Sequence, residues 1–185
     1  MTLEEAVNKL FEQFSDIRDH LPTLYSLAKS VYCGVIVELG AGHSTYILTK
    51  AAKEGNSQFY SIDQMEEAHL REFPEGAGIV QREKNYFFVK GDDSEIVKEW
   101  ETKIDLLLID SDHDYLHVYD TLVAWTPKVH VYGTICMHDT DHTWGHATGV
   151  LPALEKFLSE HPGQYSVTHR KGCGGFSILT KLKEE

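Results

Sequence analysis

The sequence predicts an α/β fold: a doubly wound, mostly parallel seven-stranded sheet with helices on both faces. Three observations predict it. Short β-branched or aromatic runs alternate with segments of helical periodicity along most of the chain. The fourth run, Ile104-Asp105-Leu106-Leu107-Leu108-Ile109-Asp110, is nearly continuous in apolar residues, as a central strand covered on both faces must be. The last two runs are joined only by Lys171-Gly172-Cys173-Gly174-Gly175, too short for a crossover, so they pair as an antiparallel hairpin.

Leu3, Val7, Leu10, Phe11 and Phe14 recur at helical spacing and open the chain with an amphipathic helix. Pro22, behind Asp19 and His20, suits the first turn of a second helix running to about Ser30. Val35 to Leu39 is the first strand, and Thr45 to Lys53 a helix closed by Gly55-Asn56. Gln58 to Asp63 is the second strand, and Met65 to Phe73 a helix stopped by Pro74. Tyr86 to Asp92 is the third strand; its Tyr86-Phe87-Phe88 run reads as core rather than as a stacking platform. Ser94 to Trp100 is helical and leads to the fourth strand. A helix from Tyr115 to Trp125 ends at Pro127, and Val131 to Met137 is the fifth strand. Val150 to Leu158 is the last helix, and Tyr165–His169 with Phe176–Thr180 form the hairpin.

A chain of 185 residues is the size of one domain, here with N-terminal helices over 1–30 and a Rossmann-like core over 35–182. No apolar run approaches the ~20 residues of a membrane-spanning helix, and the acidic, amphipathic N-terminus is unlike a signal peptide. Cys33, Cys136 and Cys173 show no paired spacing, so disulfides and a zinc knuckle are poorly supported and a reducing cytoplasm fits best. A net charge of −12 with no basic stripe repels a phosphate backbone and argues against a nucleic-acid partner.

Ligands of open α/β sheets bind beyond the carboxyl ends of the strands. The strand ends here are Glu38 before Gly40 and Gly42, then Asp63, Asp92-Asp93, Asp110-Ser111-Asp112-His113, and His138-Asp139-Thr140-Asp141-His142. Carboxylates therefore collect at one edge of the sheet. The glycines allow close approach of backbone to a ligand at a helix N-terminus. A dinucleotide site wants a third glycine where Thr45 stands, and Glu38 would repel a pyrophosphate. A cationic ligand suits Glu38 better, and S-adenosylmethionine carries an ammonium and a sulfonium. Asp63, ~20 residues past the loop, suits a ribose diol.

Val37-Glu38-Leu39-Gly40-Ala41-Gly42 resembles the first motif of class I S-adenosylmethionine-dependent methyltransferases, and Ser61-Ile62-Asp63 their second. The resemblance runs from about Val35 to Leu182 and implies sheet order 3-2-1-4-5-7-6 with the last strand antiparallel. It implies a cofactor-lining set of Glu38, Leu39, Gly40, Ala41, Gly42, Ser44, Asp63, Gln64, Asp92, Asp93 and Asp110. Glu38 and the glycine backbone would hold the methionine part, Asp63 the ribose, and Asp92 and Asp93 would lie by the adenine.

Ile109-Asp110-Ser111-Asp112-His113-Asp114-Tyr115, Met137-His138-Asp139-Thr140 and the lead-in Asp16 to Leu24 are similar to a narrower branch. It holds macrocin-type sugar O-methyltransferases and cephalosporin-hydroxylase-like proteins. That likeness implies a divalent cation, Mg2+ or another, on Asp110, Asp139 and His138, the last standing where some members have an acid. It implies His113 or Asp112 as general base. The chemistry agrees: a hard dication lowers a hydroxyl pKa, and a histidine poised near neutrality takes the proton.

The expected function is methyl transfer to a hydroxyl of a small acceptor such as a sugar. The competing reading is a catalytically silent S-adenosylmethionine-binding module or subunit of a complex. No large inserted lid covers the acceptor, and a second copy, in a homodimer, could supply the cover. A nicotinamide oxidoreductase is disfavoured by Glu38 and Thr45, and a nucleic-acid methyltransferase by charge and by the lack of an Asn-Pro-Pro-Tyr type motif. His138, His142 and His146 have zinc-like spacing, but they follow a strand and Gly145 interrupts them. That segment reads as a substrate loop with Trp144 free to stack. Gly172 to Gly175 reads as turn chemistry, with no basic group placed to activate Cys173.

Overall fold

The computed structural model describes residues 1–13, 15–65, 78–141 and 148–184. Helices α1 (Leu3–Glu12) and α2 (Leu21–Ser30) precede the sheet, with a 3-10 turn at Arg18–His20 between them. There follow β1 (Val35–Leu39), α3 (His43–Gly55), β2 (Gln58–Asp63), β3 (Tyr86–Lys90), α4 (Asp93–Glu99) and β4 (Ile104–Ile109). The chain then forms α5 (Tyr115–Trp125), β5 (Val129–His138), α6 (Val150–Glu160), β6 (Tyr165–Arg170) and β7 (Phe176–Lys181). The expected helical residues 66–73, the stop at Pro74, Phe14, and the loop bearing His142, Trp144, Gly145 and His146 lie outside the described residues.

The sheet has the order β3-β2-β1-β4-β5-β7-β6, with β4 at its centre. The strands from β3 to β5 run parallel, and β7 is antiparallel to both β5 and β6. Side-chain alternation divides the core into two layers. Ile36, Leu106, Leu108 and Cys136 face α1, α2 and α3. Val37, Leu39, Leu107, Ile109, Ile135 and Met137 face α5 and α6. With both faces covered, β4 is apolar on each side, which is the reason its sequence does not alternate.

Element ends follow from capping. Thr2 and Glu5 form a reciprocal capping box at α1: Thr2 Oγ1 accepts from Glu5 N–H at 3.2 Å, and Glu5 Oε2 accepts from Thr2 N–H at 2.8 Å. Asn56, at φ 52°, ends α3 in the left-handed conformation. Two boundaries differ from expectation. Helix α3 starts at His43, two residues before Thr45, because Thr45 Oγ1 accepts from Gly42 N–H at 3.1 Å and so acts inside the first turn. Strand β5 starts at Val129, two residues before Val131, because an irregularity opposite Ile104–Leu106 absorbs Tyr132 at φ 68°. Among the described residues no helix is long and apolar enough to cross a membrane.

Candidate active site

The parallel strands end along one edge, and two small cavities lie there on either side of the glycine loop. Gly40 has φ 88°, and a Cβ on it would overlap the Asp110 carbonyl oxygen and stand 2.8 Å from Ser111 Cα. The loop after β1 is thus pressed against the loop after β4, and only glycine fits. One cavity, about 150 Å³, is bounded by Gly40, Ile62, Asp63, Gln64, Asp93 and His117, among others. The other, about 140 Å³, is bounded by Asp16, the Gly40–Gly42 loop, Asp110, His113 and Asp139, among others. A larger hollow of about 550 Å³ beside Lys50 and Arg82 lies away from the strand ends.

Glu38 lies behind the loop rather than on a cavity wall. It is fully buried on β1, facing Ser61 across the ladder. Ser44 Oγ donates to one carboxylate oxygen at 2.5 Å, and Thr45 Oγ1 and Ser61 Oγ to the other at 2.7 and 2.6 Å. Burial pushes its pKa up to about 8, against the pull of those three hydroxyls. Leu39 and Ser44 are also buried behind the loop. Asp63 braces the loop from the next strand: Oδ2 accepts from Ala41 N–H at 2.9 Å and Oδ1 from Met65 N–H at 2.7 Å.

The two acids after β3 part company. Asp92 caps α4, taking Ser94 N–H at 2.9 Å and Ser94 Oγ at 2.6 Å on Oδ1, while Oδ2 accepts from Gln64 Nε2 at 3.0 Å. Asp93 turns inward, is buried, and accepts from Ser111 Oγ at 2.6 Å. His117, on the first turn of α5, brings Nε2 to 3.2 Å of Asp93 Oδ1. The sequence reading missed Ser111 and His117 as wall residues. The only signal for His117 was its place in the first turn after the fourth strand end.

At the other cavity the chain makes an abrupt turn. Asp139 has φ 56°, a conformation that Asp tolerates better than most residues. Leaving the strand this way, His138 and Asp139 reach the same cluster instead of alternating across the sheet. Asp110, His113 and Asp139 each offer one ligand atom, and these atoms all lie within 4.8 Å of one another. His113 Nε2 is 2.9 Å from Asp139 Oδ2. That hydrogen bond raises the His113 pKa, and burial opposes the rise.

His138 takes a different place from the ligand position expected of it. Its Nε2 donates to the Cys173 carbonyl at 2.8 Å, and its Nδ1 lies 3.1 Å from Asp110 Oδ1. Burial disfavours its charge, but the Asp110 and Asp139 carboxylates outweigh burial and push it up to about 10. His138 is thus tied to Asp110 on one side and to the Cys173 carbonyl on the other, and His113 completes the group of three. Asp110, in turn, is pushed up by burial and held down by His138. Asp112, the other expected base, accepts from Asp114 N–H at 2.9 Å and stays exposed beside the first cavity.

The Gly172–Gly175 turn is more than a connector. Gly172 and Cys173 offer their carbonyls to His20 Nε2 at 2.7 Å and to His138. His20 also stacks on Phe176 at 5.1 Å. A Cβ on Gly174 would overlap Asp139 Oδ1. Gly174→Ala should therefore displace Asp139 while leaving the sheet intact. For a cation held at Asp110, His113 and Asp139, the expected result is at least a tenfold weaker midpoint with an unchanged far-ultraviolet circular dichroism spectrum; an unchanged midpoint would refute the displacement.

The order 3-2-1-4-5-7-6 with a glycine loop after β1 defines a Rossmann-like methyltransferase fold. A family described as "Methyltransferase domain" matches residues 37–140, and the chain belongs to it. No curated protein matches the sequence. Among solved structures, the chain is similar to cofactor-bound Rv0187 from MTB, at 16% identity and a TM-score of 0.71, over 99% of this chain and 90% of that one. It is similar to the methyltransferase PaMTH1 of Podospora anserina, solved with SAH, at 14% identity and a TM-score of 0.70, over 98% and 88%. It is also similar to the O-methyltransferase TomG of Streptomyces achromogenes, involved in tomaymycin synthesis and solved with SAM, at 15% identity and a TM-score of 0.68, over 97% and 90%. At these identities the likeness is one of fold.

Proposed function

We propose that this protein is an S-adenosylmethionine-dependent O-methyltransferase acting on a small hydroxylated acceptor, with a divalent cation at Asp110, His113 and Asp139. The observation that carries it is the convergence of those three side chains beside a glycine loop that no side chain could enter. Family membership and the cofactor-bound neighbours support the methyl donor. The expected narrower kinship with macrocin-type enzymes is part of this proposal, as is a sugar-like acceptor.

The cofactor fits the strand edge. The adenosyl half belongs in the cavity of Asp63, Gln64 and His117, with Asp63 turning its remaining lone pairs to the ribose diol. The methionine half crosses Gly40 toward Asp110, where backbone N–H groups at the start of α3 can take its carboxylate. The bound cofactor supplies an electrophilic methyl on a sulfonium. A cation suits the donor set of two carboxylate oxygens and one imidazole nitrogen. When bound, it lowers the pKa of an acceptor hydroxyl and orients it. Asp110 and Asp139 neutralise charge and fix position, and His138 keeps Asp110 from rotating away. The remaining acceleration is in-line placement of oxygen, methyl and sulfur.

The 2.9 Å contact between His113 and Asp139 favours a second reading, in which no cation acts. His113 would then be the general base and Asp139 its orienting carboxylate. Calorimetry with S-adenosylhomocysteine tests the cofactor, and no heat at millimolar ligand would sink both readings. Asp139→Asn should lose cation affinity by tenfold or more and keep cofactor affinity within about threefold. Loss of both, or of neither, counts against the cation. Activity that survives chelation would select the His113–Asp139 pair.

A further inference from the structure

We propose that His117 reads the exocyclic amine of the cofactor's purine, with Asp93 fixing the tautomer that makes this possible. The proposal rests on the reading that the cavity of Gly40, Asp63, Gln64 and His117 takes the adenosyl half of S-adenosylmethionine. Asp93 is 6% exposed, so its carboxylate must find donors within the protein. Ser111 Oγ supplies one at 2.6 Å. His117 Nε2 supplies another to the same oxygen, 3.4 Å from Oδ2, and lies 3.2 Å from Oδ1, which has no hydrogen-bond donor of its own among the described residues.

A carboxylate only accepts, so Nε2 carries the proton. In the neutral ring Nδ1 is then a lone-pair acceptor. Among the described residues nothing hydrogen-bonds that nitrogen. The ring is also held in place from its backbone. Asp114 caps α5, taking Leu116 N–H at 2.9 Å and His117 N–H at 3.4 Å.

The neighbouring acid cannot do the same work. Both Asp92 oxygens are engaged, one by Ser94 and one by Gln64. Gln64 is thereby turned with its amide nitrogen toward Asp92. His117 Nδ1 is an acceptor on a residue that bounds the cavity, and no protein donor occupies it among the described residues. Adenine presents an N–H donor at that edge, and hypoxanthine an oxygen acceptor that would meet the Nδ1 lone pair head on. The pair Asp93–His117 thus selects a 6-amino purine over a 6-oxo purine by tautomer rather than by charge.

Calorimetry compares S-adenosylhomocysteine with S-inosylhomocysteine on the wild type and on His117→Ala. The wild type should prefer the adenosyl ligand about tenfold, the worth of one such hydrogen bond. In His117→Ala the preference should fall to within about twofold, mostly through weaker adenosyl binding. Nitrogen-15 NMR of the ligand-free protein should show His117 as the Nε2–H tautomer, and Asp93→Ala should mix the tautomers. Equal weakening of both ligands, no preference in the wild type, or an Nδ1–H tautomer would each overturn the assignment. Failure of either ligand to bind the wild type would bring down the cofactor reading, and this assignment with it.

Discussion

His113→Ala should lower methyl transfer by about 10²- to 10⁴-fold while leaving S-adenosylhomocysteine affinity within about threefold. The large loss is expected because His113 serves both chemical readings of the site. As a ligand it supplies the only neutral nitrogen donor in the group with Asp110 and Asp139. As a base it is held by Asp139 at 2.9 Å. The small binding effect is expected because the ring is not part of the Gly40–Gly42 loop to which we assign the cofactor. The measurement is release of S-adenosylhomocysteine over a panel of hydroxylated acceptors, with titration of Mg2+ in wild type and variant. A cation midpoint raised tenfold or more identifies His113 as a ligand. An unchanged midpoint with the same rate loss identifies it as the base. Retention of more than a tenth of the wild-type rate would place the chemistry elsewhere.

The fold was legible because its signals are local and repeated. Val35–Leu39 and Ile104–Ile109 read as strands by composition alone, and the sheet order followed from the resemblance. The edge where the candidate site residues gather was legible too, since a parallel sheet brings every strand's carboxyl end to one side. What the sequence hides is which way each polar side chain turns. Glu38 suggested a charge facing the ligand, and the period of the strand instead points it under α3, where three hydroxyls take it. The resemblance suggested His138 as a ligand, since it stands where some members have an acid. Nothing local shows that Cys173, 35 residues away, offers the carbonyl that occupies its Nε2. The pair Asp93–His117, 24 residues apart, was invisible for the same reason. Non-local hydrogen bonds decide these roles, and sequence patterns report mainly local ones.

Glu38→Ala should destabilise the protein by about 3–5 kcal/mol, a large share of the ~5–15 kcal/mol that holds a domain of this kind together. Ser44, Thr45 and Ser61 are all buried and all donate to this carboxyl group. Removing their acceptor leaves three donors out of water with nothing to bond, at ~1–3 kcal/mol each before relaxation. Glu38→Gln keeps the shape and one acceptor oxygen, so its cost should be much smaller near neutrality. The two variants separate further with pH. The folded pKa of Glu38, about 8, lies above the 4.5 of an unperturbed glutamate. The unfolded chain therefore loses this proton first as pH rises. Stability from the neutral carboxyl is complete below about 4.5 and is lost progressively up to about 8. Glutamine carries no such dependence. Urea denaturation at pH 5, 7 and 9 should show Glu38→Gln gaining on the wild type as pH rises, by on the order of a few kcal/mol across the series. A difference that stays flat with pH would mean the three hydroxyls outweigh burial and Glu38 is ionised in the folded protein. The carboxylate charge expected from the sequence would then act on the cofactor through the glycine loop after all.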